Sequence, residues 1–416
     1  MKSVGRSNFQ LGRLSRLPFQ SLLLGLATAL GAGDFESWHV RQSPVTNVAL
    51  RAVAYGMGQF VAVGGGGTIL TSPDGNNWTS RVSGTTQTLQ GVVANSESFV
   101  AVGDGGTTLS SSDGIDWTVQ TVPELPGHSA LHFRSVTYGN GVFVAVGPYT
   151  YKFYSSPDGK TWNPVKYTQG GPAPVYVSSV NYCNGLFVAV GEAELYTSSD
   201  GTNWSVRFVP HLGGAFAVTF GAGQFVAVGG VTHPRYATMF TWASTNAVIW
   251  PTPQRIGNTL TYLSSVTFGG GLYFALGAIY TINYRQAFLS SSDGLHWTEG
   301  EFPSPMTLMR LNSAAFGDGT FIVVGDNGTI LQSEIIVPTP APTVEPHLGI
   351  LPGAPITISI RGSAGDHLRM EYRDDFAAGT NTWQALDTIS LDGASAFWSD
   401  TNAPAARRFY RAIVLP

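Results

Sequence analysis

The side chains of this chain that could do chemistry fall into two groups: carboxylates in glycine-rich turns, and a scattered set of arginines and tyrosines. Among the carboxylates, Asp104, Glu192, Glu194 and Asp326 are the candidates for a glycosidase pair, which needs two carboxyls about 5 to 10 Å apart. Asp104 and Asp326 sit in the near-repeats Gly103-Asp104-Gly105-Gly106-Thr107 and Gly325-Asp326-Asn327-Gly328-Thr329. A short polar side chain beside glycines serves a tight turn there, so both are expected to be turn residues. No nucleophile elbow, zinc-ligand spacing or phosphate loop occurs, and the histidines are scattered singly. Neither a metal nor a cofactor is expected, and catalysis is not the leading expectation. Binding chemistry is better represented, by Arg51, Arg134, Tyr149, Tyr151, Arg235, Tyr236, Tyr280, Tyr284 and Arg285. Aromatic faces with guanidinium donors suit a polar or anionic ligand, a glycan or a protein segment. The plainer alternative is a solvated, tyrosine-rich rim.

The elements that must position these residues come from a repeat. Phe60-Val61-Ala62-Val63-Gly64 returns at Phe99, Phe143, Phe187, Phe225, Tyr273 and Phe321, at spacings of 39, 44, 44, 38, 48 and 48 residues. Just upstream lie runs such as Val53-Ala54-Tyr55-Gly56 and Val136-Thr137-Tyr138-Gly139. The two runs read as a hairpin turning on glycine and asparagine. Downstream comes Ser72-Pro73-Asp74-Gly75-Asn76-Asn77-Trp78, matched around Asp113, Asp158, Asp200 and Asp293, and in degraded form at Ser244, Asn246 and Trp250. Asp accepts bonds from following backbone N–H groups, Gly tolerates positive φ, and Trp packs the outgoing strand. Asp74, Asp113, Asp158, Asp200 and Asp293 are therefore structural turn residues. Each repeat becomes a four-stranded antiparallel sheet, and seven such sheets make an all-β, seven-bladed β-propeller.

Closure follows from counting. The seventh repeat reaches Ser333 but lacks the Asp-Gly turn and its Trp, while Trp38-His39-Val40-Arg41 resembles Trp78-Thr79-Ser80-Arg81. Trp38 precedes Phe60 by 22 residues, as an outer strand should. The N-terminal strand is thus expected to close the last blade.

Loop length then points to a face. From the Phe (Tyr in the sixth repeat) of the second strand to the Trp of the fourth, the first four repeats take 18, 18, 19 and 17 residues, whereas the fifth and sixth take 25 and 24. The surplus is expected as long loops, Thr232 to Tyr236 and Tyr280 to Arg285, on the face away from the Asp-Gly turns. Tyr149, Tyr151, Lys152, Glu192, Glu194, His128, His132, Tyr167 and His211 belong on that same face. The first turns of the inner strands should present Arg51, Gln90, Arg134, Ser178, Phe216, Ser264 and Asn312 at the mouth of the axial channel.

The Ser-x-Asp-Gly-x-x-Trp turns resemble the Asp-box repeats of sialidase-like propellers, a group with non-catalytic members such as photosystem assembly factors. The resemblance covers roughly residues 35–335. It implies the propeller fold, with the boxes on the face away from the ligand. A sialidase of that group carries Arg-Ile-Pro near its start; the nearest match here, Arg255-Ile256-Gly257, lies late and lacks the proline.

Composition agrees with many short strands: 51 residues are glycine, 12% are aromatic and only 12% are charged. The net charge of −4 and the lack of a basic run in the mature region exclude an electrostatic footprint for nucleic acid. Residues 1–33 read as a signal peptide, with Lys2, Arg6, Arg13 and Arg16 before an apolar stretch and Ala27-Thr28-Ala29; an uncleaved anchor is the alternative. The mature chain is expected to be secreted, periplasmic or at the cell surface, with no membrane span. Cys183, the single cysteine, is expected to be a buried structural thiol. The propeller should occupy 34–336. Residues 337–346 form a proline-rich spacer, and 347–416 a small β-sandwich similar to fibronectin- or immunoglobulin-like modules. Tyr372, Trp383, Phe397 and Tyr410 could form a sugar platform there, although alternation favours a core. The combined expectation is an exported, monomeric, non-catalytic propeller that binds a glycan or an extracellular protein. The alternatives are a polysaccharide-active hydrolase and a structural envelope protein.

Overall fold

The computed structural model describes residues 37–122, 131–148, 153–167, 176–191, 194–208, 214–233, 236–251, 253–256, 260–280, 284–303 and 309–336, together with six strands between 349 and 415. The described residues from 37 to 336 form a seven-bladed β-propeller. Blade 1 comprises Leu50–Gly56, Gln59–Gly64, Ile69–Ser72 and Thr79–Arg81, hydrogen-bonded in that order. The inner strands of blades 2 to 7 are Leu89–Ala94, Ser135–Gly139, Val177–Cys183, Ala215–Gly221, Leu260–Gly269 and Leu311–Gly317. Most inner hairpins turn on two successive positive-φ residues, such as Asn140-Gly141, Asn184-Gly185 and Asp318-Gly319, the signature of a turn whose twist matches its strands.

The ring closes as the repeat count requires. Trp38–Val40 pairs antiparallel with the third strand of blade 7, Trp38 opposite Ser333 and Val40 opposite Leu331. Trp38 is buried against Phe274, Phe288 and Phe302, with ring centroids 5.0 to 5.6 Å apart. Close packing explains two glycine positions of the repeat, one within each blade and one between blades. A Cβ on Gly64, Gly103, Gly147, Gly191, Gly229 or Gly325 would overlap the carbonyl oxygen at the start of the inner strand. A Cβ on Gly139, Gly221, Gly269 or Gly317 would overlap the aromatic ring of the next blade, Tyr182, Phe268, Phe316 and Tyr55 respectively. The runs from Phe60 to Val63 and their equivalents are fully buried, each blade packing both faces against its neighbours.

The aspartate turns staple the far face. Asp74 Oδ1 accepts from Ser72 Oγ at 3.0 Å and from the N–H groups of Asn76 and Asn77 at 2.9 and 3.0 Å, while Trp78 Nε1 donates to Gly75 O at 2.9 Å. Asp113, Asp158, Asp200 and Asp293 repeat this pattern. The bond from the Asn77 N–H leads those that hold the Asp74 carboxyl down at about 2. Burial raises Asp293, but donors led by His296 outweigh it and bring it to about 2. In blade 5 Asn246 makes the same backbone bonds, with Ala247 at φ 55° where the other turns have glycine.

Three expectations change. The surplus of blades 5 and 6 is strand rather than loop: Gln224–His233 pairs with Tyr236–Ser244, and Leu272–Tyr280 with Tyr284–Ser291. Val231-Thr232 and Ile279-Tyr280 are β-branched and aromatic residues that continue a strand readily. The link between blades 3 and 4 contributes Lys166–Tyr167 as a fifth strand on blade 4, parallel to Asn203–Trp204. Cys183 is half-buried rather than buried, packed against the core cluster that includes Val218 and Phe225, and desolvation pushes its thiol up to about 12.

In the C-terminal part six strands are described, arranged in two sheets. The order is Gly349–Leu351, Ile356–Arg361, Ser395–Asp400 in one three-stranded sheet and Gln384–Ser390, His367–Arg373, Phe409–Leu415 in the other. Residues 1–33 and 337–346 lie outside the described residues, as do Trp383 and the side chains of Tyr372, Phe397 and Tyr410. Among the described residues no helix is long and apolar enough to cross a membrane.

Candidate functional site

Alternating strand direction puts the aspartate turns at one end of the ring and the links from second to third strand at the other. At that second end an axial cavity of about 320 Å³ opens, and all seven residues expected at its mouth, Arg51, Gln90, Arg134, Ser178, Phe216, Ser264 and Asn312, line it. The cause is a shared backbone feature. In six inner strands the register skips one residue: Leu50 pairs with Gly64 and Ala52 with Val63, so Arg51 has no partner opposite. The same skip falls at Gln90, Ser178, Phe216, Ser264 and Asn312. A β-bulge re-aims the extra residue, and here it places one side chain per blade around the axis. The bulge also lets Leu50 and Val53, three residues apart, both be buried.

The mouth is cationic. Arg51, Arg134 and Arg310 line the cavity, and no carboxylate does among the described residues. Arg134 and Arg310 are exposed, and among the described residues neither makes an ion pair. Arg51 is half-buried, and its Nε is enclosed without a partner among the described residues. The repeat does not single out Arg310, because it lies two residues before the bulge position of its blade.

The neighbouring carboxylates are already engaged. Asp326 accepts from Asn312 Nδ2 at 3.0 Å and lies 3.8 Å from Arg51 Nη1. Asp104 accepts from Gln90 Nε2 at 3.3 Å, with His132 Nδ1 at 3.2 Å. Both sit in the tight turns read from the sequence, Asn327 and Gly105 having positive φ. Glu194 accepts from Tyr196 Oη at 3.0 Å. These contacts engage the three acids as structural acceptors. Among the described residues no cluster of three or more His, Cys, Asp or Glu could hold a metal.

Of the other candidates, Tyr236, Tyr280, Tyr284 and Arg285 lie in the raised hairpins of blades 5 and 6. The register sets Tyr236 opposite His233, Tyr280 opposite Tyr284 and Arg285 opposite Ile279. Tyr149, Tyr151, Lys152, Arg235, Glu192, His128 and His211 lie outside the described residues. The structure therefore gathers Arg51 and Arg134 with Arg310 at one mouth, and places four further candidates in hairpins on two adjacent blades at the same end.

No family model matches the chain, and no curated protein matches it. Solved structures do. A structure of YCF48 bound to D1 peptide is 18% identical with a TM-score of 0.54, covering 71% of this chain and 94% of its own. A virginiamycin B lyase from Staphylococcus aureus with quinupristin is 10% identical with a TM-score of 0.57, covering 71% and 98%. The WD40 β-propeller domain of Doa1 is 12% identical with a TM-score of 0.52, covering 72% and 97%. These likenesses establish the propeller fold.

Proposed function

We propose that the chain is an exported, non-catalytic binding protein that holds an anionic group of a partner, an acidic protein segment or an acidic glycan, at the axial mouth. The observation that carries this reading is the three-arginine lining without a carboxylate. An unpartnered guanidinium N–H in a confined cavity gains most from a charged acceptor. The engaged state of Asp104 and Asp326 favours binding over acid/base hydrolysis. The aspartate turns support a place among Asp-box-like propellers, and two of the fold's neighbours are described with a peptide or as a WD40 domain. Export rests on the sequence of residues 1–33, and the C-terminal sheets fit an immunoglobulin-like module for attachment. The test is a screen of the full chain against acidic glycans and acidic peptides, with hydrolysis followed on the same compounds. Binding without turnover, weakened by Arg134→Gln with Arg310→Gln and by added salt, is expected. Turnover, or binding indifferent to both arginines, contradicts the reading.

A further inference from the structure

The turns that link second to third strand are built alike in blades 1, 2 and 7. Their first residues, Gly65, Asp104 and Asp326, each donate a backbone N–H to the carbonyl that precedes the inner strand, at 2.9, 2.9 and 2.8 Å. The carbonyl of each accepts from the N–H of the threonine three residues on, at 3.1 to 3.2 Å. The two residues between hold positive φ in all three turns. Each first residue also stands 14 positions after the mouth residue of its own blade, Arg51, Gln90 or Asn312.

The side chains follow a rule. Where the mouth residue is an amide, the turn supplies a carboxylate: Asn312 Nδ2 donates to Asp326 at 3.0 Å and Gln90 Nε2 to Asp104 at 3.3 Å. Where it is an arginine, the corresponding residue supplies none: Gly65 answers to Arg51, and Pro148 to Arg134. Packing does not demand the glycine. A Cβ on Gly65 would meet Ala49 and Val48 only at an ordinary 3.8 Å, and the φ of this residue is not positive. An aspartate therefore fits where blade 1 has none. Arg51 meanwhile has an enclosed Nε without a partner among the described residues, and its carboxylate neighbour, Asp326 of blade 7, lies 3.8 Å from Nη1. An enclosed guanidinium N–H left unpaired is costly, and a charged acceptor relieves it most.

We infer that the place of the missing aspartate, between Gly65 and Arg51, is a carboxylate subsite filled by an aspartyl side chain of a partner protein. This rests on the proposed binding at the axial mouth and narrows it, from an anionic group to a carboxylate on a short stem. Blades 2 and 7 hold such a group from their own chain, and blade 1 takes it from the partner. An aspartyl group carries its carboxyl on one methylene, whereas a uronate carries it directly on a ring, so the aspartyl side chain is what reproduces the sister turns.

The experiment titrates fluorescent hexa-aspartate into the full chain and into its Gly65→Ala, Gly65→Asp and Gly65→Asn variants, with oligogalacturonate as a second probe. Alanine leaves the place open, whereas aspartate and the uncharged asparagine fill it. The expected result is equal binding of hexa-aspartate by wild type and Gly65→Ala, and binding about tenfold weaker in both Gly65→Asp and Gly65→Asn, as the loss of a charged hydrogen bond implies. Gly65→Asp should also melt above wild type. Wild-type affinity in all three variants, with affinity still lost in Arg134→Gln/Arg310→Gln, overturns the subsite and leaves the cationic mouth standing. Weakening confined to Gly65→Asp and removed by salt marks plain charge repulsion and overturns the subsite likewise, as does a melting temperature of Gly65→Asp below wild type. Binding of oligogalacturonate but not of hexa-aspartate overturns the aspartyl occupant. Binding of neither probe overturns both readings.

Discussion

Tyr55 of blade 1 packs onto Gly317 of blade 7, where any side chain at 317 would overlap the tyrosine ring. The same blades are joined by Gln332 Nε2 donating to Asp74 O at 3.0 Å and by Asn312 Nδ2 donating to Leu50 O at 2.8 Å. The seam where the two ends of the ring meet therefore uses the packing found between consecutive blades, and it carries Arg51 and Asp326 of the mouth. Gly317→Ala is expected to cost about 1 to 3 kcal/mol through overpacking, and Gly317→Ala with Tyr55→Ala to cost less than the sum of the two single changes. Urea unfolding of the four variants measures the coupling; strict additivity would refute the contact.

The clasp carries a similar expectation. Trp38→Ala removes a buried indole from among Phe274, Phe288 and Phe302 and should destabilise the chain by about 3 to 5 kcal/mol. Deleting residues 34–48 should open the ring, seen as a larger hydrodynamic radius and faster amide exchange in Ile330–Ser333.

Much of this architecture was legible because each repeat carries its own turn chemistry and core run. Seven blades, the closing strand and the seven mouth residues all follow from register within the repeat. Residue surplus alone does not distinguish a raised hairpin from a loop; the β-branched and aromatic residues of Val231-Thr232 and Ile279-Tyr280 are the available signal. A strict alternation of period two does not reveal the bulges. Leu50 and Val53, like Leu89 and Val92 or Leu311 and Ala314, stand three apart and both bury. That spacing betrays an extra residue between them.

Ala247 holds φ 55° in the blade 5 turn, where the other aspartate turns use glycine. A non-glycine residue there is strained, so Ala247→Gly should stabilise the chain by roughly 0.5 to 1 kcal/mol once the added freedom of the unfolded chain is counted. A thermal shift in the opposite direction would contradict the role assigned to this turn.

The turn carboxylates set the acid response. Asp74 and Asp293 titrate at about 2 in the folded chain against 3.8 when unfolded, so their ionised form favours folding. Their contribution is complete above pH 4 and disappears as pH falls through about 2. His296 is raised by its bond to Asp293, so its smaller contribution is present below its ordinary value of 6.5 and fades above it. Urea midpoints should fall between pH 4 and 2, and less steeply in Asp74→Asn with Asp293→Asn.

Affinity of the full chain for the tightest acidic ligand from a combined glycan and peptide screen, measured at two salt concentrations for wild type and for Arg134→Gln with Arg310→Gln, tests the cationic mouth most directly. The expected result is a loss of tenfold or more in the variant, a weaker salt dependence and an unchanged melting temperature. Equal affinity and equal salt dependence in the two proteins would contradict it.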